Sequence, residues 1–244
     1  MNGLMKSVTE NVIFLLEFLA VIVAIFLVAY IAEKLEKKKS GDTQRILTTK
    51  KIAVIGMCSA IAAILMLFEI PVPFAPGFYK IDFSELPALI GTFAYGPVAG
   101  VMIELCKIVL KLVMKGTSTA FVGELANFAV GCSFLLPAAV IYLWKKTKTN
   151  AVLGCVVGTL VMTIIGTSFN AIYLLPKFAQ LFGMPLDAII GMGTAINPAI
   201  TNVSSFVICA VAPLNLLKGT LVSIITLLVY KKISPVLKDT KTRP

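Results

Sequence analysis

The chain contains no histidine among its 244 residues, which removes imidazole proton relays, His-containing triads and His metal ligands together. Its five cysteines, Cys58, Cys106, Cys132, Cys155 and Cys209, stand singly inside apolar segments without CxxC spacing. They read as small buried hydrophobes, not as a disulfide framework or zinc site. No GxxxxGK followed by Ser or Thr occurs, so the chain lacks the phosphate-cradling loop of P-loop ATPases. The acids Asp82, Glu85, Glu104, Glu124 and Asp187 are dispersed, unlike the acidic cluster of a metal-dependent membrane enzyme. Charge itself is scarce, 14% against 58% hydrophobic residues. That balance excludes an ordinary soluble domain and predicts an all-α integral membrane protein.

What charge there is sits at the ends of apolar runs. The formal net charge is +10, but the basic residues form no continuous polar face of the kind that binds nucleic acid. Lys34, Lys37, Lys38, Lys39, Arg45, Lys50 and Lys51 follow the first apolar run. Lys145, Lys146 and Lys148 mark a middle turn, and Lys231, Lys232, Lys238, Lys241 and Arg243 form the tail, so these groups hold fifteen of the 22 basic residues. The positive-inside rule puts all three groups in the cytoplasm.

Taken in order, the chain predicts a retained leading helix over Val12–Ile31 and a flexible charged linker to about Lys51. Spans follow over Ile52–Ile70, Leu86–Tyr95, Val98–Met114, Ala120–Trp144 and Ala151–Leu175, the last ended by Pro176. A connector from Lys177 leads to a final helix from about Pro198 to Lys232, kinked at Pro213. In the second span Ala53, Gly56, Ala60 and Ala63 line one face at spacings of three and four. Such a stripe either admits another helix closely or reflects the abundance of small residues in spans.

The stretch from Ile70 to Gly91 cannot itself be a membrane helix, because Pro71, Pro73 and Pro76 each remove a backbone donor. Phe74, Phe78 and Tyr79 there crowd Lys80, Asp82, Ser84 and Glu85. Two readings fit: a lid over a binding site, or an interfacial anchor with its rings at headgroup level.

Charges inside spans are costly and need a reason. Here they are Glu104, Lys107, Lys111, Glu124 and Lys218, accompanied by Asn127, Asn170 and Asn215. At 1.5 Å per residue, Glu124, Asn170 and Asn215 lie roughly 31, 30 and 24 Å from the basic ends of their helices. Three helices thus bring amides and charges to one level beneath the loop, the anatomy of a pocket open to the outside. A structural Lys–Glu pair and asparagines cross-linking helices fit the same residues. Glu104, Lys107, Lys111 and Lys115 form a separate stripe whose outer lysines either join a site or snorkel to the headgroups. A pocket with amides and one Lys–Glu pair suits a planar heterocycle with hydroxyls.

Several motifs together carry a resemblance: KIDFSELPALIGTFAYGPVAGVMIEL from Lys80, GELANFAVG from Gly123, NAIYLLP from Asn170, MPLDAIIGMGTAINP from Met184 and APLNLLKG from Ala212. With them the chain resembles the riboflavin-specific substrate-binding (S) component of energy-coupling factor (ECF) transporters, from about Lys50 to Lys232. The resemblance implies a six-helix membrane core binding riboflavin from outside. Uptake would be driven by a transmembrane coupling subunit and two ATP-binding subunits. It puts Asn170, Asn215 and Lys218 at the flavin ring, with Glu124 and Asn127 nearby and the loop around Phe78, Tyr79, Lys80 and Asp82 as lid. It also makes Gly56 and Ala60 the face that docks on the coupling subunit.

The expected organisation is an extra N-terminal transmembrane helix plus basic cytoplasmic linker over residues 1–49, a six-helix domain over 50–232 and a basic cytoplasmic tail over 233–244. The protein would sit in a bacterial cell membrane with riboflavin as cargo and no cofactor of its own. The alternatives are an S component for another vitamin, a stand-alone secondary transporter and a membrane enzyme. Against the transporter stand the lack of an internal repeat and the few buried carboxylates.

Overall fold

The computed structural model describes residues 12–238 except 42, 44, 118 and 120. Helix α1 (Val12–Ser40) runs past the apolar stretch and through the first part of the expected linker. The sequence EKLEKKK is itself helix-forming, and Lys37, Lys38 and Lys39 lie where the helix dipole favours cations. Helix α2 (Thr49–Leu67) starts where the Thr48 hydroxyl accepts a hydrogen bond from the Lys51 amide. The proline-rich loop that follows is closed by a two-residue antiparallel ladder, β1 (Ile70–Pro71) with β2 (Lys80–Ile81), pairing Ile70 with Ile81.

Helices α3 (Glu85–Tyr95) and α4 (Pro97–Lys115) fold back on each other at Gly96. Gly96 has φ +92°, and a Cβ there would lie 2.9 Å from the Glu33 carboxylate, so both conformation and space require glycine. Its 11 residues make α3 only about 16 Å long, short of a ~30 Å hydrocarbon core. The shortness has a cause: α3 begins inside the protein, where Ser84 and Glu85 are buried against Lys107. Among the described residues five helices are long and apolar enough to cross a membrane, from within α1, α2, α5, α6 with its continuation, and the last helix. Helix α4 matches them in length but carries Glu104, Lys107, Lys111 and Lys115.

Helix α5 (Val122–Trp144) packs on α6 (Lys148–Phe169). Cβ atoms at Gly154 and Gly158 would come within 2.8 Å of the Ala138 oxygen and 2.6 Å of the Phe134 oxygen. This small-residue pair lets the two backbones touch. Pro176 does not end α6. A π-turn (Asn170–Leu174) leads directly into α7 (Leu175–Phe182), with Pro176 just inside it. After α8 (Leu186–Thr194), the short α9 (Val203–Phe206) passes through a second π-turn (Val207–Val211) into α10 (Ala212–Lys238). Each π-turn ends two residues before a proline, Pro176 or Pro213. The wider i→i+5 turn accommodates the carbonyl that a proline ring would strike. The final helix starts at Val203 under an Asn202 capping box rather than near Pro198. Of the expected basic tail, residues 239–244 with Lys241 and Arg243 lie outside the described residues, as do residues 1–11 of the leading segment.

Helix α1 is not a loose appendage. Phe14, Phe18 and Ala29 are buried, and the Phe18 and Phe128 rings lie 6.2 Å apart. Glu33, buried, pairs with Lys51 at 2.5 Å and accepts the Val98 amide at 3.0 Å, supplying a partner at the N-terminus of α4. Toward the other end Glu17 accepts from the Tyr173 hydroxyl and pairs with Lys177 at 3.4 Å.

A candidate ligand cavity under the hairpin loop

The residues just before and after the two prolines converge. Asn170 opens the first π-turn, while Asn215 and Lys218 follow the second on α10. With Asn127, Thr119, Gly123 and Gly131 from the α5 side they line a cavity of about 140 Å³. Met162, Leu174, Leu175, Val211 and Leu214 supply apolar wall, and Phe78, Tyr79, Lys80 and Phe178 close it. The closing rings pack on one another: Phe78 is tilted against Tyr79 at 4.7 Å and stacks on Phe178 at 5.2 Å, and Phe178 stacks on Phe182 at 4.4 Å. Tyr79 donates across the cavity mouth to Asn170 Oδ1 at 2.8 Å.

The asparagines differ in how far they are satisfied. Asn170 Nδ2 donates to the Gly166 carbonyl at 2.8 Å, and Asn127 Nδ2 to the Gly123 carbonyl at 2.9 Å. Asn215 is 4% exposed, yet its Nδ2 has no hydrogen-bond partner among the described residues. A Cβ on Gly166 would lie 2.6 Å from that nitrogen, so the α6 backbone presses directly against the amide. A buried donor left unmade costs about 1–3 kcal/mol. Lining a cavity, it asks for an acceptor from a ligand.

Below the cavity lies a buried ionic network. Lys218 Nζ is 3.1 Å from Asp82 Oδ2 and 2.9 Å from Glu85 Oε2. Lys107 Nζ is 3.1 Å from Glu85 Oε1 and 2.8 Å from Glu104 Oε2, and it donates to Ser84 Oγ at 2.8 Å. Gly131 makes room for Glu104, since a Cβ there would come within 2.5 Å of its Oε2. A second cluster sits at the rim, where Glu69 pairs with Lys80 at 3.0 Å and with Lys111 and Lys115 at 3.2 Å each. Burial works against the Glu69 carboxylate, but the three ammoniums hold its pKa down at about 2.

Of the residues singled out in the sequence, Phe78, Tyr79, Lys80, Asn127, Asn170, Asn215 and Lys218 line the cavity, and Asp82 and Glu124 do not. Asp82 lies behind Lys218 as its partner. Glu124 makes no pair with Lys218. It accepts from the Thr117 and Thr119 hydroxyls at 3.0 and 3.1 Å, fastening the turn before α5. The Lys–Glu pair of the cavity is instead Lys218 with Glu85. In the sequence Glu85 stands only as one of several dispersed acids, and Phe178 lies in the connector beyond Pro176, where nothing in the pattern marks it. Lys107 does not snorkel, being fully buried, while Lys111 and Lys115 reach Glu69. No group of three or more metal-ligating side chains occurs among the described residues. Ala53, Gly56 and Ala60 are exposed on α2, apart from the cavity, and nothing lies within 4 Å of a Cβ placed at Gly56.

The family model for the ECF transporter substrate-specific component matches residues 50–230. The chain belongs to that family. Riboflavin transporter RibU of Staphylococcus aureus is 34% identical over 189 residues, 78% of this chain and 93% of the relative. Riboflavin transporter FmnP of Bacillus subtilis is 32% identical over 187 residues, 76% of this chain and 93% of the relative. A solved structure described as the S component of a bacterial ECF transporter superposes with TM-score 0.61 at 35% identity, covering 78% of this chain and 98% of that one. This S component is therefore a multi-pass membrane protein with the S-component fold, and a transporter component, not an enzyme. Helix α1 precedes the region matched by the family model.

Proposed function

We propose that this S component binds riboflavin in the cavity beneath the hairpin loop and carries it into the cell. The observation that carries the reading is the unpartnered Asn215 donor, buried in a cavity lined by two further asparagines. Amides of this kind match the alternating carbonyls and nitrogens of a flavin ring edge, and relatives over most of the chain are named riboflavin transporters. Lys218 stands beside Asn215 with its charge balanced by Asp82 and Glu85, which suits a neutral ligand. At about 140 Å³ the cavity is smaller than the roughly 300–1,000 Å³ usual for small-molecule sites. Phe78 and Tyr79 therefore act as a lid that shifts to admit the vitamin.

The loop side faces outward, and the basic linker and C-terminus lie in the cytoplasm. Residues 50–232 form the substrate-binding unit. Energy comes from an ECF module of a transmembrane coupling subunit and two ATP-binding subunits, and the open stripe at Gly56 and Ala60 docks on it. Riboflavin is cargo, and the chain needs no cofactor of its own.

The first test is titration of purified protein with riboflavin, read by flavin fluorescence. Saturable one-to-one quenching supports the assignment, and absence of quenching at micromolar riboflavin overturns it. Docking has a separate test: Gly56→Leu leaves quenching intact and abolishes uptake when the ECF module is co-expressed. Uptake at the unsubstituted rate would remove the stripe from the proposal.

A further inference from the structure

A second concavity lies at the basic end of the seam between α1 and α5. It encloses about 520 Å³ and is lined by Val28, Ile31 and Leu35 from α1 and by Val140, Leu143 and Trp144 from α5. Its walls are almost wholly apolar, while charge gathers at its end. Lys39 Nζ lies 4.9 Å from the centre of the Trp144 ring, and Lys146 pairs at 3.4 Å with Glu36, the single acid in the lining. Lys38 and Lys145 are exposed at the same ends of these helices, and Lys148 is exposed at the start of α6, giving the mouth a clear positive excess.

From this geometry we propose that the groove is a binding site for an anionic phospholipid. An acyl chain lies along the apolar walls, and the headgroup phosphate meets Lys39 and Lys146 at the level of Trp144. Trp144 is 71% exposed, which fits an indole at the membrane interface, and lysines there favour anionic over zwitterionic headgroups. The lipid closes the part of the seam that protein side chains leave open, between the Phe18–Phe128 contact and the basic ends. One wall is α1, which precedes the region matched by the family model, and the other is α5 within it, so the site exists only where this extension meets the matched core.

The full-length protein, purified in mild detergent, is offered phosphatidylglycerol and phosphatidylcholine with identical acyl chains, and retained lipid is read by native mass spectrometry. The expected result is a single retained lipid per chain with a preference of about tenfold for phosphatidylglycerol. Lys39→Gln with Lys146→Gln should abolish the preference, and Val140→Trp, which fills the groove, should abolish retention of either lipid. Riboflavin quenching serves as the fold control for these variants. Equal retention of the two lipids by the unsubstituted protein overturns the proposal, as does a preference that survives the double lysine substitution.

Discussion

Two glutamate–lysine clusters lie one above the other in this molecule, with opposite energetics. At the rim, Glu69 faces Lys80, Lys111 and Lys115, two of which are about half exposed. Below, Glu85 and Glu104 share Lys107 and Lys218 in a network whose members are all nearly inaccessible. Exposed pairs contribute roughly 0–1 kcal/mol each because water and salt screen them. Breaking a buried pair strands a charge, at about 3–5 kcal/mol. The same residue types thus make a loose fastening for the loop above and a rigid floor for the cavity below.

Lys107→Ala should break the contrast most visibly. It leaves Glu104 without its ammonium and should lower unfolding free energy by about 3–5 kcal/mol, seen as a large drop in thermal midpoint in detergent. A midpoint within a degree or two of the parent would mean the network is not what holds the floor. Lys218→Ala disturbs the same floor, so any loss of riboflavin affinity there mixes stability with binding.

Asn215→Ala sharpens the comparison, since it removes an unpartnered amide outside the ionic network. Riboflavin affinity should fall more than tenfold, about 1.4 kcal/mol, with the melting midpoint unchanged or raised. Unchanged affinity would remove Asn215 from the site.

Glu69→Gln should cost affinity no more than a few-fold, since its pairs with the half-exposed Lys80 and Lys115 contribute ~1 kcal/mol or less each, and that part of the loss should shrink in high salt. A tenfold loss that ignores salt would place the rim with the floor. Smallest of all is the pH effect. Because the Glu69 carboxyl is held at about 2, its stabilisation is fully present above the ordinary value of about 4.3 and is lost only as pH falls toward 2. Riboflavin affinity measured at pH 8 and pH 5 should agree within about twofold. A steep fall between them would point to a different titrating group.

Much of this arrangement was legible in the chain. Counting rise per residue from the basic ends brought Asn170 and Asn215 to one level, and both line the cavity. Depth is additive along a helix, and neither count, from 150 to 170 or from 215 to 231, crosses a π-turn. Direction is not additive, and depth alone does not separate Glu124, which accepts from the Thr117 and Thr119 hydroxyls, from the residues that face inward. Pro176 misled because proline usually stops a helix. Here the π-turn before it absorbs the clash and carries the helix on to Phe182. Helix α3 reads as a span because its residues are apolar, while its buried start at Ser84 and Glu85 depends on Lys107, distant in the sequence.

The two π-turns make each of these helices an α-helix carrying one residue too many. Since a residue advances the helix by about 100°, the segment beyond each turn is rotated relative to the segment before it. Deleting a single residue from 170–174 or from 207–211 would restore regular winding and swing everything on one side by that angle. Asn170 would then turn away from Tyr79, or Asn215 away from Gly166. In these two helices the cavity is set by where the count of residues slips, so a one-residue deletion there should be more damaging than most substitutions in the same turn.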